Sequence, residues 1–167
     1  MNLKVMLQNG GFFKTSDNQA SGYDVGAIGF ARIEDGKIGE SRILEESECF
    51  TVYPHETIMI KTGVHIGFPQ PIDKGDYYVL LEAHMRPRSG LSLKQHSNVK
   101  LGTIDNNYRG ECNVIFINDG NEPLVISKYD RIGQIVFNEV VKFKEIEYTD
   151  SLDETDRGAN GFGSTGK

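Results

Sequence analysis

Short strand-like segments recur along most of this chain, and they constrain its fold more than any other feature. Each segment alternates polar and apolar residues or is rich in β-branched and aromatic residues, and turn signals such as residues 68–75 (FPQPIDKG) separate them. Many short strands at spacings of about 8–12 residues are typical of a sandwich, jelly roll or barrel. The sequence therefore predicts an all-β, jelly-roll-like domain. Its predicted strands are residues 2–7, 57–66 (broken at Gly63), 77–83, 111–118, 124–127 and 131–141.

Only one segment has a convincing helical pattern. Residues 89–96 (SGLSLKQH) follow a proline and carry two spaced leucines, which predicts at most about two helical turns. From residue 148 the composition becomes polar and then glycine-rich, which predicts a flexible tail over residues 148–167 after a folded domain over residues 1–147. The acidic segment 31–50 is weakly patterned, and we expect a hairpin excursion or a surface insertion there.

Charge and cysteine content exclude several classes of protein. The 167 residues include 18 Lys and Arg against 24 Asp and Glu, so the net charge of −6 argues against general nucleic-acid binding but permits a small anionic ligand. No apolar run approaches the roughly 20 residues of a membrane span, and the first residues lack a signal-peptide pattern. Cys49 and Cys112 are too few for a disulfide scaffold, so we expect a cytoplasmic protein with no membrane partner.

Two segments carry residues suited to nucleotide chemistry. Residues 86–92 (RPRSGLS) place two arginines before the predicted helix, and both guanidinium groups and free helix N–H groups bind phosphate oxygens. Residues 102–110 (GTIDNNYRG) resemble the tip of a hairpin. There Asp105 is either a turn former or a general base, and Tyr108 is either a core aromatic or a flat surface for a sugar or base.

Three further segments are weak when taken singly. Residues 21–27 (SGYDVGA) place one carboxylate between small residues, and residues 131–137 (RIGQIVF) place one amide in an apolar strand. Residues 157–166 (RGANGFGSTG) combine a glycine-rich backbone, whose N–H groups can wrap a phosphate chain, with an arginine and a phenylalanine.

Taken in order, the five segments resemble the five motifs of the trimeric dUTP diphosphatases (dUTPases), and they span residues 21–166. The combination of RSG and a later GTID-x-x-YRG is the specific part of this resemblance. It implies a jelly-roll-like subunit assembled as a homotrimer, with three active sites that each draw on more than one subunit and are closed by a neighbour's C-terminal tail. It also implies hydrolysis of dUTP to dUMP and pyrophosphate with Mg²⁺, which keeps uracil out of DNA and supplies dUMP for thymidylate synthesis.

The resemblance assigns roles to individual residues. Asp105 would activate the water that attacks the α-phosphorus, and Tyr108 would lie under the deoxyribose, where a 2′-hydroxyl does not fit. Uracil would occupy a hairpin over residues 101–113, which is too tight for thymine and mismatched for cytosine. Asp24 would reach the metal through bound water. The other implied substrate contacts are Arg88, Ser89, Gly90, Gln134, Arg157, Gly163, Ser164 and Thr165 on the phosphates, Phe162 stacked on the uracil, and Asn98, Gly102, Thr103, Ile104 and Asn113 around it.

One departure and three alternatives accompany this interpretation. The third motif commonly reads Asp-x-Asp-Tyr, but Asn107 stands at its third position and supplies no carboxylate for a metal or a water. The same fold hosts dCTP deaminases, which need a proton-shuttling Glu near the pyrimidine that this motif does not offer. A regulatory protein that binds dUTP as a signal and holds a partner protein through residues 31–50 is a second alternative. A structural domain without a ligand is a third, and it leaves Phe162 in a glycine-rich tail unexplained.

Overall fold

The computed structural model describes residues 2–159, which form sixteen short strands and one helix. No helix within that range is long and apolar enough to cross a membrane. In chain order the elements are β1 (Lys4–Leu7), β2 (Phe13–Lys14), β3 (Gly22–Gly26), β4 (Gly29–Glu34), β5 (Lys37–Ile38), β6 (Arg42–Ile43), β7 (Cys49–Val52), β8 (Thr57–Lys61), β9 (Val64–Gly67), β10 (Ile72–Asp73), β11 (Tyr77–Arg86), α1 (Ser89–Gln95), β12 (Ser97–Val99), β13 (Gly102–Ile104), β14 (Val114–Asn118), β15 (Leu124–Ser127) and β16 (Arg131–Phe143).

Two six-stranded antiparallel sheets form the body of the protein. The first has the order β10-β11-β16-β3-β2, with β13 also paired to β11, and the second has the order β12-β14-β8-β4-β5, with β6 also paired to β4. Two small antiparallel ribbons, β1-β9 and β15-β7, complete the structure. The prediction of an all-β, jelly-roll-like fold is confirmed.

The core contains side chains from both large sheets. Val25 and Ile135 of the first sheet and Ile58 and Ile60 of the second are fully buried in one hydrophobic cluster. Successive side chains of a strand point to opposite faces. The alternating burial along β14 therefore places Val114 and Phe116 in the core and Ile115 and Ile117 on the opposite, partly exposed face. Burial of this cluster is the main source of stability.

The predicted strands and the helix are present with shifted ends. Gly63 divides β8 from β9 because its φ is +68° and a Cβ there would come within 2.2 Å of the Gln8 carbonyl oxygen. The helix ends at His96, which has left-handed backbone angles. Strands β11 and β16 extend beyond their predicted ends, to Arg86 and Phe143, because they pair with each other over ten residues.

The acidic segment 31–50 contains a hairpin that is continuous with the second sheet. Strand β4 pairs with β8 and then turns back into β5 through Asp35 and Gly36, which both have positive φ, as a tight two-residue hairpin turn requires. Ala31 and Phe50, at the two ends of the segment, are buried. The exposed part is therefore mainly the hairpin tip and the loop that follows it.

Candidate functional site

The segment between β13 and β14 crosses from the first sheet to the second. Ile104 lies opposite Ala83 in the first sheet, whereas Val114 lies opposite Ile60 in the second. Residues 101–113 nevertheless connect the two arms of a hairpin, as predicted, because Val99 of β12 lies opposite Phe116 of β14 and the Lys100 N–H donates to the Ile115 carbonyl oxygen at 2.9 Å. The inserted strand β13 departs from this hairpin to pair with β11. Residues 102–105 and 111–113 border a cavity of about 340 Å³, which we call the loop cavity.

Six residues assigned by the motif resemblance line the loop cavity. Asp105 is exposed, and its carbonyl oxygen accepts a hydrogen bond from the Tyr108 N–H at 3.0 Å, which closes a tight turn. A carboxylate in this position can take a proton from a water molecule beside the cavity. The six residues are Gly102, Thr103, Ile104, Asp105, Tyr108 and Asn113.

Three side-chain hydrogen bonds hold the turn that carries Asp105. The Asn106 amide nitrogen donates to the carbonyl oxygens of Leu81 and Pro69 at 3.0 and 3.3 Å. Arg109 donates from Nη1 to the Asn106 carbonyl oxygen at 2.7 Å. The backbone around the carboxylate is thus fixed before any ligand binds, as a catalytic group requires.

Tyr108 is held against the backbone of its own loop. Its hydroxyl donates to the Glu111 carbonyl oxygen at 3.2 Å. A Cβ on Gly110 would come within 2.2 Å of that hydroxyl, so only glycine fits at position 110 without displacing the ring. The ring remains 44% exposed and offers an accessible apolar surface.

Glu111 and Cys112 form the far end of the loop. The Glu111 carboxylate pairs with Lys61 and accepts hydrogen bonds from the backbone N–H groups of Thr62 and Gly63 at 3.1 and 2.7 Å. Burial, with a smaller contribution from the negative charge of Glu111, raises the pKa of the Cys112 thiol to about 12. The Cys112 thiol is therefore protonated at neutral pH, so it lines the cavity as an uncharged group and does not act as a nucleophile.

A second cavity, of about 270 Å³, lies where β3, β16 and the start of α1 meet, and we call it the arginine cavity. Asp24 accepts hydrogen bonds there from Arg88 Nε at 2.9 Å and from Arg131 Nη1 at 3.1 Å. Two guanidinium groups against one carboxylate leave a local positive charge, which suits an anionic ligand. Ser89 and Gly90 at the start of the helix line the same cavity.

Gln134 connects the arginine cavity with a larger outer groove. It lies opposite Asp24 on one neighbouring strand and opposite Arg86 on the other, and its amide nitrogen donates to the Pro87 carbonyl oxygen at 3.0 Å. The outer groove, of about 850 Å³, is also lined by Asn98.

Within the described part of the chain, the loop cavity and the arginine cavity share no lining residue. Gly102 and Thr103 line both the loop cavity and the outer groove, while Gln134 lines both the groove and the arginine cavity. One chain therefore places Asp105 in the loop cavity and Arg88 in the arginine cavity, and the outer groove adjoins both.

Gly90 and Gly102 have no structural reason within this chain to be glycine. Neither has a positive φ, and a Cβ at either position would meet no heavy atom within 4 Å. Glycine is also one of the least favourable residues for helix formation. The open space beside both residues is consistent with close approach of a ligand to the backbone.

The chain after β16 carries only part of the proposed tail site. Three large apolar side chains there are almost fully in contact with solvent, since Ile146, Tyr148 and Leu152 are 69%, 90% and 89% exposed. Arg157 lies in an exposed turn near the end of the described residues. The remaining tail residues assigned by the resemblance lie outside the described residues: Phe162, Gly163, Ser164 and Thr165.

The side chains around the arginine cavity suit a metal ion only in one way. Within residues 2–159, no three His, Cys, Asp or Glu side chains lie together in a way that could hold one. Among the residues that the structure describes, Asp24 is the one carboxylate that lines the arginine cavity. Because Mg²⁺ retains waters and takes phosphate oxygens directly, a single carboxylate fits an ion that arrives with a phosphate ligand and is reached through water.

The sequence interpretation missed Arg131 and Ser16 as lining residues of the arginine cavity. Arg131 begins the motif that contains Gln134, so a second polar residue near the same strand end was an available signal. Ser16 belongs to a loop shaped by Asp17, whose carboxylate accepts hydrogen bonds from the N–H groups of Gln19 and Ala20, both at 2.8 Å. These bonds lower the pKa of Asp17 below its ordinary value.

Comparison with known proteins gives consistent matches. The family model for dUTPase matches residues 44–166. The deoxyuridine 5'-triphosphate nucleotidohydrolase of Heliobacterium modesticaldum is 36% identical over 150 residues, which are 88% of this chain and 84% of that protein.

Two solved structures share the fold. A mutant dUTPase of Staphylococcus bacteriophage 80alpha with dUpNHpp superposes with a TM-score of 0.74 at 21% identity and covers 99% of both chains. A mutant dUTPase from phage phi11 of S. aureus, described with a coordinated structural Mg(II) ion, superposes with a TM-score of 0.68 at 18% identity over 92% of this chain and 100% of that one.

Proposed function

The chain belongs to the dUTPase family, and from that premise we propose that it hydrolyses dUTP to dUMP and pyrophosphate by attack of water on the α-phosphorus. The observation that carries this proposal is an exposed carboxylate, Asp105, on a braced turn beside the loop cavity, together with a separate cavity that contains two guanidinium groups. The first arrangement suits a general base beside a nucleoside, and the second suits a polyphosphate.

Asp105 is the general base in this mechanism. Water is a poor nucleophile at neutral pH, and a positioned carboxylate that accepts its proton contributes about 10²–10⁴-fold to the rate. The bonds made by Asn106 and Arg109 fix the turn, so the carboxylate does not have to be ordered when the substrate arrives.

Uracil occupies the loop cavity. Strand β13 pairs on one edge with β11, so the other edge of Gly102–Ile104 has backbone N–H and C=O groups for the base. Cytosine reverses one donor and one acceptor and leaves buried groups unmatched, which is a strong basis for discrimination. Asn98 and Asn113 flank the same region, and Tyr108 offers its ring to the deoxyribose and excludes a 2′-hydroxyl.

The phosphates occupy the arginine cavity. Arg88, Ser89 and Gly90 bind the α- and β-phosphates, and Gln134 adds an amide donor from the adjacent strand. Asp24 holds Arg88 through Nε and the Arg131 carbonyl oxygen accepts from Nη1 at 3.4 Å, so Nη2 is the nitrogen offered to a phosphate. Arg157 binds the γ-phosphate, Phe162 stacks on the uracil, and Gly163, Ser164 and Thr165 close over the phosphates when the tail folds down.

Mg²⁺ accompanies the triphosphate and supplies positive charge to its oxygens. Asp24 would be the residue that holds this ion, through bound water, and the ion would add positive charge beside Arg88. The absence of a three-ligand cluster within residues 2–159 supports an ion that is held mainly by the substrate.

The active enzyme is a homotrimer whose sites are shared between subunits. Over residues 2–159, the loop cavity and the arginine cavity of one chain have no lining residue in common, so a neighbour that brings its arginine cavity to the loop cavity would complete a site. The exposed Ile146, Tyr148 and Leu152 give the tail an apolar surface for docking on another subunit. Residues 1–147 are then the β domain, and residues 148–167 close a neighbour's site.

A four-substrate assay tests this function. Purified chain is incubated with dUTP, dTTP, dCTP or UTP, with and without Mg²⁺, and pyrophosphate and the nucleotide products are quantified. We expect rapid Mg²⁺-dependent release of pyrophosphate and dUMP from dUTP alone. Formation of dUTP from dCTP would instead establish a deaminase. Binding of dUTP without turnover would establish a regulatory binding protein, and equal turnover of all four nucleotides would refute the role of the loop cavity.

A further inference from the structure

One wall of the loop cavity comes from outside the five motifs. Ile38, on β5 in the acidic segment 31–50, lines this cavity together with Met59 and Ile115. Ile38 is 56% exposed, whereas Met59 is only 7% exposed. The isoleucine is therefore not a core residue of this chain, although it extends an apolar wall that the core residues begin.

Strand register explains how Ile38 reaches this position. Ile115 of β14 lies opposite Met59 of β8, and Met59 lies opposite Ala31 of β4. In the hairpin of β4 and β5, Ile38 lies opposite Ile33. Directly paired residues share a face, and so do residues two apart on one strand. All five side chains thus lie on one face of the second sheet, the face opposite the core side chains of β14.

The residues that line the loop cavity include groups of two chemical kinds. The free edge of Gly102–Ile104 and the side chain of Asn113 supply polar groups, whereas Ile38, Met59 and Ile115 supply only carbon and sulfur atoms. A pyrimidine has the same asymmetry, because N3 and the exocyclic oxygens lie along one edge and C5 and C6 along the other. If the polar edge of the base faces the polar lining groups, its C5–C6 edge faces Ile38, Met59 and Ile115, and this fixes the orientation of the base.

We propose that Ile38 is a specificity-determining residue that forms the apolar wall against the C5–C6 edge of the base and thereby helps to exclude a 5-methyl pyrimidine. This inference rests on the proposed function, since it requires the base of dUTP to occupy the loop cavity. It gives the segment 31–50 a role in the site itself. A mismatch of one methyl group in such a pocket changes kcat/KM by about 10–200-fold, and Ile38 supplies part of that effect.

Two substitutions of opposite size test the wall. Ile38→Ala removes three carbon atoms beside C5, and we expect the ratio of kcat/KM for dTTP to that for dUTP to rise about tenfold or more. Ile38→Phe overfills the same space, and we expect a higher KM for dUTP with little change in kcat. The matched control is Ile43→Ala, because Ile43 lies in the same segment, is 39% exposed and does not line the loop cavity.

Equilibrium binding of dUMP and dTMP, measured by calorimetry on the same variants, gives a readout that does not depend on turnover. Improved dTMP binding by Ile38→Ala alone supports the wall. If both Ile38 variants match Ile43→Ala in binding and kinetics, the role of Ile38 is refuted while the proposed function stands. If the unaltered chain does not hydrolyse dUTP, the proposed function itself fails. Thermal melting of each variant confirms that the fold is retained.

Discussion

Gly22 lies directly against the side chain of Gln134, and a Cβ at position 22 would come within 2.1 Å of the amide oxygen. Gln134 lines both the arginine cavity and the outer groove. We therefore expect Gly22→Ala to displace this amide from the Pro87 carbonyl oxygen and to lower kcat/KM for dUTP by up to about tenfold, the effect of one lost hydrogen bond. Steady-state pyrophosphate release measures the change.

A double-mutant cycle separates this route from a general disturbance of β3. If Gly22→Ala acts through the amide, then adding it to Gln134→Ala should cause no further loss, because the group it displaces is already absent. Losses that add in full would show that Gly22 acts independently of Gln134.

Asp105→Asn tests the general base. Asparagine has nearly the same shape but cannot accept a proton, so kcat should fall about 10²–10⁴-fold while KM for dUTP stays nearly constant. Since Asp105 is exposed, the melting temperature should not change. Asp119→Asn removes a second exposed carboxylate, in a turn outside both cavities, and should leave kcat unaltered. A kcat for Asp105→Asn close to that of the control would exclude the mechanism.

The sequence predicted six strand segments and the short helix because those elements follow from local patterns, while several short strands, such as β2, β3 and β7, were missed. Alternation and β-branched residues identify β14 and β16, and a glycine in a strand pattern identified the break at Gly63. The partners of β13 could not be predicted this way, because Ile104 pairs with Ala83 through a ladder that depends on residues distant in the chain. A tight turn between strand-like segments favours a hairpin, and β12 and β14 do pair as its arms, but no local pattern indicates that β13, inserted between them, leaves for the other sheet.

The candidate site was predictable to a similar degree. The motif order identified Asp105 and Arg88, but a single chain places them at separate cavities, and no residue pattern reports how subunits combine. Arg131 and Ile38 were missed for a different reason. Their side chains reach the cavities only through strand register and a hairpin return, which are consequences of the folded sheet.

Arg88→Lys tests the geometry of the phosphate contact. The guanidinium donates from Nε to Asp24 and from Nη1 to the Arg131 carbonyl oxygen and still has Nη2 for a phosphate, whereas the single amine of lysine cannot replace all three contacts. The loss of one charge-assisted hydrogen bond should lower kcat/KM for dUTP about 10–100-fold. Arg42→Lys is the matched control, since Arg42 forms an exposed ion pair with Glu48. Equal activity of the two variants would remove Arg88 from the phosphate site.

Truncation before residue 157 tests closure by the tail. The last strand ends at Phe143, so a chain of residues 1–156 keeps every strand of both sheets. We expect an unchanged melting temperature and an unchanged trimer mass by light scattering, with a severe loss of dUTP turnover. Mixing the truncated chain with an Asp105→Asn chain should then restore some activity, because mixed trimers can combine an intact tail with an intact Asp105. No recovery after subunit exchange would contradict sharing between subunits.

The two cysteines should differ sharply in reactivity. Burial raises the pKa of Cys112 to about 12, whereas Cys49 is exposed. A thiol-reactive aromatic disulfide near pH 8 should therefore modify one thiol per folded chain and two per unfolded chain. Cys49→Ser should abolish the reaction of the folded protein, and rapid labelling of Cys112 in that variant would contradict the buried position.

The raised pKa of Cys112 makes the free energy of unfolding depend on pH in the alkaline range. An unfolded chain loses the Cys112 proton near the ordinary value of 9.0, whereas the folded chain keeps it up to about pH 12. The unfolded state therefore binds fewer protons above about pH 9, and the free energy of unfolding should fall as the pH rises through this window, by at most about 1.4 kcal/mol per pH unit. Denaturant titrations at several pH values measure the slope, and Cys112→Ala should make it shallower. An identical slope in both proteins would mean that Cys112 does not contribute.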